Sequence, residues 1–416
     1  MRNFCKTIPA LILGFAIIAA SGHSQTGPSP AAQNAAINVN AKIQPKKFVD
    51  PAAAASIWNL HPRNGESTES LNTRAGKMLK ELLNANPKKL NYDTDYWRLL
   101  SYLREVPLEK MPKSRLEWYM DHMPNPRLTD EQRVLRVRQL EKTPIYKMSP
   151  KDVDLYLGWM QNKQPDLRKR VVALARQNLN QPYDIYLLGE FPFEVSDPDP
   201  TFDLTHGDCV TFCELIYSMA LSHDWKSFYS TLQKIRYKDG IPGMTSRNHF
   251  TEYDWDKNNS WLVQDVTDSL GATSVSQYTE KIDKARFFSN FGLGQDIPVA
   301  VLHDTYIPAA AISSVLDKLQ DGDFVNIVRG VGDGVWVGHV AMIAHGADGQ
   351  VHMIHSTEPK SKEQPIMDYV NSNIKMNVKR AQRHSAEFKG MKFLRLRADD
   401  LQTTSIFPGE SHWSAR

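Results

Sequence analysis

Cysteine is scarce in this chain, with three among 416 residues, at positions 5, 209 and 213. A fold stapled by several disulfides is therefore excluded. Excess charge of one sign is missing too: 50 Lys and Arg face 47 Asp and Glu, a formal net charge of +3. No polycationic surface follows from that balance, and no nucleic-acid partner is expected. The chain has no apolar run of the ~20 residues that a spanning helix needs. Its one candidate ends near Ala20 and has a polar flank. Internal repeats are absent, and so is any HExxH pair that would mark a helical zinc site.

What is present begins at the N-terminus. Arg2 and Lys6, an apolar run to about Ala20 and small residues beyond it have the layout of a secretory signal peptide, expected over residues 1–22. No cysteine follows the run, so no lipid anchor is expected, and the protein is expected in the periplasm or outside the cell. Cys5 leaves with the leader, and so do two positive charges, which leaves a net charge of +1. Residues 23–60, rich in Ala, Asn, Gln, Pro and Ser, read as a linker. Residues 61–165 show helical periodicity punctuated by prolines, including LTDEQRVLRVRQLEK with Thr129 as N-cap. This helical N-terminal extension carries no catalytic pattern. A second domain is expected over residues 166–400.

That domain holds HGDCVTFCE, residues 206–214. Gly207 permits a tight turn, Asp208 is a good N-cap, and Cys209 then stands at a helix N-terminus, where the macrodipole and free N–H groups favour a thiolate. Cys213 lies one turn deeper on the stripe Cys209–Cys213–Ile216–Ala220 and reads as core. A disulfide is disfavoured, because Cβ atoms at i and i+4 on a helix stand ~5–6 Å apart, against the ~3.8 Å a disulfide prefers. Further on, residues 321–329, 334–345, 349–357 and 391–398 read as strands. In the second, Val337, His339, Ala341 and Ile343 share a face, with His339 breaking its apolar character. His355 ends the third. Each histidine alone reads as an ordinary core or surface residue. A helix-tip thiol followed by a sheet-borne histidine is the papain-type arrangement. The basic stretch from Ile374 to Arg397 reads as a solvated face or as a surface attracting an anionic polymer.

DCVTFCE resembles the DCxTFxE motif of the N-acetylmuramoyl-L-alanine amidase-like family, within the NlpC-type superfamily of papain-like cell-wall hydrolases. In order, QPYDIYLLGE, SRNHFTEYDWDKNN, LQDGDFVNIV, VGHVAMI, VHMIHST and PIMDYVNSNIKMNVKR resemble further motifs of that family, from Asp166 to Arg397. Asn180 and Gln181 stand where the family has Gly-Thr. The resemblance implies an α+β fold with a papain-like catalytic domain, and a cysteine amidohydrolase that cuts the muramic acid–L-alanine amide through a thioester. It implies Cys209 as nucleophile, His339 as general base and His355 as the residue orienting that base. It places Tyr183 near the nucleophile, assigns Arg247, His249 and Trp255 to substrate binding, and gives Asp323 a structural part. For Trp255, core packing is the equal alternative.

No cofactor is called for, and the implied partner is peptidoglycan or its muropeptide fragments. Three other readings stay open. One is an endopeptidase cutting the γ-D-glutamyl–diamino acid bond, for which Asp254 is the nearest carboxylate to hold a free amine. Another is a metal-dependent amidase using His339, His345, His352 and His355. The last is a wall-binding protein without catalysis.

Overall fold

The computed structural model describes residues 50–403, apart from 86–88, 92–93, 104, 112–127, 192, 195–196, 198 and 294–295. The expected signal peptide, and the expected linker as far as residue 49, lie outside the described residues. Helices come first: α1 (Pro51–Ile57), α2 (Thr68–Leu83), α3 (Asp95–Leu103), α4 (Asp130–Leu140) and α5 (Pro150–Lys163). α1 falls inside the stretch expected as linker. Asp50 caps its first turn, and Ala54, Ala55 and Trp58 bury in one cluster with Leu79 and Trp97. Alanine is the best helix former, so a run of it next to a cap and a hydrophobic partner folds. α4 begins as its sequence dictates, with Thr129 and Gln132 closing a capping box.

Packing does not break at residue 165. Leu140, Tyr156 and Leu157 share a core with Leu174 of α6 (Leu167–Gln177), with Phe212 and Cys213 of α7 (Cys209–Ala220), and with Trp225 and Phe228 of α8 (Trp225–Arg236). The remainder is a sheet of β1 (Val263–Asp265), β2 (Ser276–Ile282), β3 (Ala300–Pro308), β4 (Phe324–Val331), β5 (Gly334–His345), β6 (Val351–His355), β7 (Lys362–Pro365) and β8 (Glu387–Leu396). Its order is β2-β3-β8-β4-β5-β6-β7, with β1 also on β8. All neighbours run antiparallel. α9 (Ile366–Gln382) follows β7. One face of the sheet meets α6 and α7 through Phe324, Val340, Met342, Ile354 and Leu394. The opposite face, carrying Val325, Ile327, Ala341, Ile343 and Phe393, meets Ile366 and Val370 of α9. Segregated helices on an antiparallel sheet make the fold α+β.

The shared face expected for Val337, His339, Ala341 and Ile343 is broken by a bulge. Val337 pairs with Val328 and His339 with Ile327, so Gly338 has no partner across the ladder. The extra residue reverses the alternation. Val337 joins Val340 and Met342 in one core, while Ala341 and Ile343 lie in the other. Glycine is required at the bulge, since a Cβ on Gly338 would stand 2.4 Å from Cδ of Arg329. The Val337 N–H donates to Oε1 of buried Glu252 at 2.8 Å. Burial raises the carboxyls of both Glu252 and Glu280, and a hydrogen bond joins them. Glu252 thus pins the strand one residue before the bulge.

The basic stretch before Arg397 is only partly a solvated face. Lys392 is buried, its ammonium 2.6 Å from Asp304, 3.0 Å from Asp265 and 3.8 Å from Asp256. Arg395 and Arg168 pair with fully buried Asp323 at 3.0 and 3.4 Å, which makes that aspartate structural. Replacing Lys392 by Met leaves buried Asp256 and half-buried Asp304 without their cation, at a cost of ~3–5 kcal/mol. The urea midpoint of Lys392→Met should fall accordingly at neutral pH. Burial already raises the Asp256 carboxyl well above its ordinary value. Acidification protonates it, so the deficit should shrink as pH falls. A midpoint equal to that of the unmodified protein would contradict the buried network.

Candidate active site

The site is assembled around the first turn of α7. Asp208, in extended conformation, accepts the N–H of Val210 at 2.9 Å and of Thr211 at 2.8 Å, while Oγ1 of Thr211 accepts the Asp208 N–H at 2.9 Å. That box occupies the second and third N–H groups of the helix. The N–H of Cys209 itself is left to favour its own thiolate. The rest of the motif is structural. Phe212 and Cys213 are fully buried, and Glu214, also buried, accepts from Trp255 Nε1 at 3.2 Å and Arg236 Nη1 at 3.4 Å. Cys209 and Cys213 are both free thiols.

Two loops hold the turn in front of Cys209. The Gly207 N–H donates to the Pro182 carbonyl at 3.2 Å, and the Ser356 hydroxyl donates to the Gly207 carbonyl at 2.8 Å. The second of these bonds ties the residue after His355 to the residue two before Cys209. Asn180 takes the left-handed conformation at φ 69°, which asparagine tolerates better than most residues, and so fills a glycine position of the family motif. Gln181 is buried, donating to the Leu204 carbonyl at 3.0 Å and accepting from Asn178 at 3.1 Å. Tyr183 follows, and its hydroxyl is raised by burial first and then by the nearby Cys209. The loop therefore sets Tyr183 beside the thiol.

The bulged strand supplies the histidine. His339 Nε2 stands 2.7 Å from His355 Nδ1, with the rings edge-to-face at 5.0 Å between centroids. Nδ1 of His339 makes no hydrogen bond among the described residues. The N–H of Val340, next along β5, favours the Cys209 thiolate and places the sulfur at this step of the strand. His355 is buried, its ring edge-to-face with Tyr369 of α9 at 5.7 Å, and its Nε2 lies 3.1 Å from Nε2 of Gln364 on β7. Burial, then the charge of Lys362, pulls His355 down to about 3. Burial, followed by His355, Arg329 and Lys362, holds His339 well below its ordinary value. The Cys209 thiol is pushed up to about 12, by burial first and Asp208 second. The resting site is thus a neutral thiol beside two neutral imidazoles, suited to general-base activation of a nucleophile.

The other expected site residues are employed elsewhere. Trp255 is fully buried and stacks on Phe324 at 4.2 Å, so the core-packing alternative holds and its ring cannot reach a ligand. Arg247 donates to the Leu188 carbonyl at 2.9 Å and pairs with Glu190 and Asp197, each at 3.5 Å. Nε2 of His249 lies 2.9 Å from the Met244 carbonyl oxygen, and its ring packs against Phe287 and Phe288. All three hold together the segment that carries Glu252. The four histidines of the metal reading do not converge. His345 pairs with Asp321, and His352 with Asp348 and Glu363. Among the described residues no group of three or more His, Cys, Asp or Glu could hold a metal. Three neighbours escaped the sequence reading: Gln364, Tyr369, and Arg329, which crosses Gly338 to donate to the Tyr369 hydroxyl at 3.3 Å. Only Tyr369 lay within a quoted motif.

A family model described as AmiA-like, N-acetylmuramoyl-L-alanine amidase-like, matches residues 173–376, a span that contains Tyr183, Cys209, His339, His355 and Gln364. No curated protein matches the chain. Among solved structures, a Legionella pneumophila protein aligns with a TM-score of 0.50 at 18% identity, over 57% of this chain and 92% of its own. An N-acetylmuramoyl-L-alanine amidase from Bacteroides uniformis aligns with a TM-score of 0.43 at 23% identity, over 56% of this chain and 99% of its own. At these identities the likeness is one of fold.

The difference in exposure between the two cysteines is directly measurable. Cys209 is partly exposed and Cys213 is fully buried. Iodoacetamide should label Cys209 alone in the native protein, by peptide mapping, and Cys213 only after unfolding. Thiolate is the reactive form, so the rate should climb about tenfold per pH unit above neutrality. Equal labelling of both cysteines in the native state would contradict this site.

Proposed function

Since residues 173–376 belong to the N-acetylmuramoyl-L-alanine amidase-like family, we propose that the protein is a cysteine amidohydrolase of peptidoglycan that cuts the amide between the lactyl group of muramic acid and L-alanine. The observation that carries this reading is the grouping at the tip of α7: a thiol at the first helical position set against the Val340 N–H of the bulged strand, His339 next to Val340 on that strand, and His355 2.7 Å behind His339. We read the arrangement as papain-like and NlpC-type. The expected leader would deliver such an enzyme to the wall outside the cytoplasmic membrane.

In this mechanism His339 Nδ1 takes the Cys209 proton as sulfur attacks the lactyl carbonyl carbon. The resulting oxyanion is met by the Cys209 N–H, which the Asp208 box leaves free. Collapse breaks the C–N bond, and His339 returns its proton to the departing amine of L-alanine. The lactyl group remains as a thioester on Cys209. A water, deprotonated by His339, then releases it as a carboxylic acid and restores the thiol. The endopeptidase alternative needs a free carboxylate to hold the amine of L-alanine. Asp254 does not serve, being buried and paired with Lys284 at 2.8 Å.

The test is to digest a defined muramyl tetrapeptide and weigh the products. A free stem peptide beginning with L-alanine, and a muramic sugar with a free lactyl carboxylate, are expected. L-Ala-D-Glu released from the diamino acid would overturn the proposal. Cys209→Ala should abolish turnover, while Cys213→Ala keeps most of it. Loss of the base in His339→Ala should cost about 10²- to 10⁴-fold in kcat. His355→Ala should cost less, because the base itself remains. Acidification removes activity only once His339 is protonated. Its low pKa places that acid limb well below pH 6.5, so a limb at or above that value would contradict the buried base.

A further inference from the structure

The far end of the histidine pair carries an inference that rests on the cysteine-hydrolase reading. Each neutral imidazole has one N–H, so each bond along the row fixes the next. If the Gln364 amide N–H donates to His355 Nε2, that nitrogen is bare and the proton sits on Nδ1. Nδ1–H then donates to His339 Nε2, and the one proton of His339 must sit on Nδ1, the nitrogen that the proposed mechanism assigns to the Cys209 proton. In that arrangement His339 cannot accept the thiol proton. A half-turn of the amide about its last carbon–carbon bond exchanges nitrogen for oxygen at unchanged shape and reverses every link. Oε1 accepts from His355 Nε2–H, His355 Nδ1 accepts from His339 Nε2–H, and His339 Nδ1 is bare. The imidazolium formed after proton transfer also needs this second arrangement, because both of its nitrogens are then donors.

We infer that Gln364 is a positioning residue of the reaction: its amide oxygen holds His355 in the tautomer that leaves His339 Nδ1 bare for the Cys209 proton. The geometry allows Gln364 little competition for the part. His355 is 2% exposed, its Nδ1 is taken by His339, and among the described residues Gln364 is the side chain that bonds its Nε2. Gln364 sits on β7 opposite Met353 of β6, so the ladder aims it at the ring two residues along. The other titratable or charged groups facing the pair are Lys362 on β7, Arg329 on β4, Tyr369 and Arg380 on α9, and Cys209 with Asp208 at the tip of α7. None of these accepts a hydrogen bond from His355 Nε2 among the described contacts.

Three variants of the full chain test the role. Gln364→Leu removes the acceptor, and kcat on the muramyl tetrapeptide should drop about 10- to 100-fold, a part of what the base contributes, while KM stays within about twofold. Gln364→Glu restores an acceptor and adds a negative charge. It should recover much of kcat and move the acid limb of kcat/KM up by about one to three pH units, the effect of an opposite charge at contact distance. Gln364→Asn, too short to reach, should behave like Gln364→Leu. The same series is read by iodoacetamide labelling of Cys209, which needs no substrate. Gln364→Glu should raise the labelling rate near neutral pH, because a stabilised imidazolium favours the thiolate. An unchanged acid limb and labelling rate in Gln364→Glu, with kcat of Gln364→Leu equal to that of the unmodified protein, would overturn the inference. If the unmodified protein cuts no muropeptide while labelling still responds to Gln364→Glu, the amidase reading fails and the role of Gln364 stands.

Discussion

Two imidazoles in contact, half-buried His339 and buried His355 at 2.7 Å, set the terms for everything around them. A charged histidine at that depth would be costly, so both rings rest neutral. A neutral pair can work as a base only if its protons lie on the correct nitrogens and its geometry is held. The fold supplies that hold through backbone contacts more than through side-chain charge. The bulge at Gly338 reverses the alternation of β5 between Val337 and His339. Glu252 secures the strand just ahead of it, and Ser356 ties the strand carrying His355 to the turn carrying Cys209. Each of these bonds joins segments far apart in sequence, so Cys209 and His339 are registered by tertiary hydrogen bonds.

The same logic accounts for a motif rich in polar residues with few of them at the reacting centre. In DCVTFCE, Asp208 and Thr211 spend themselves on the capping box, Glu214 on Arg236 and Trp255, and Phe212 and Cys213 on the core. In SRNHFTEYDWDKNN, Asp256 accepts from Asn326 at 2.7 Å, and Asn259 donates to the Ile235 carbonyl at 2.9 Å. Each of these buried groups makes a specific hydrogen bond that favours one arrangement, while the Oδ1 atoms of Asp256, Asn259 and Asn326 take no protein partner. The motif residues thus largely build the frame, with partly exposed Cys209 as the exception.

Local signals were legible in the sequence and non-local ones were not. A cap, a turn glycine and a periodic stripe depend on neighbours within one helical turn, and they placed Cys209 at the start of α7 and Thr129 ahead of α4. Alternation located β5 and β6 with their two histidines. The bulge depends on the pairing with β4, so no reading of residues 334–345 alone reveals that Val337 faces away from Ala341. Trp255, Arg247 and His249 have the residue types of a sugar- or acid-binding wall. Whether an aromatic ring faces a ligand or Phe324 is decided by what packs over it, and Phe324 is 69 residues further on. Gln364 carried no local signal, because a glutamine in a four-residue strand gains meaning only from the ring opposite it.

The helices before residue 165 also belong to this frame. Leu140 and Tyr156 share a core with Phe212 of α7, and the cluster around Trp97 takes in Phe191 and Tyr229 from the family-matched span. Trp97 meets Phe191 edge-to-face at 5.7 Å. Phe191 directly follows Glu190, the buried carboxylate that pairs with Arg247. Arg247 in turn leads the segment that delivers Glu252 to β5. Side-chain contacts joined by short stretches of backbone therefore run from the N-terminal helices to the strand beside the bulge at Gly338. The helical extension supports the strand on which His339 rides, and its removal would expose Phe191 and Tyr229 and loosen that support before it touched any reacting atom.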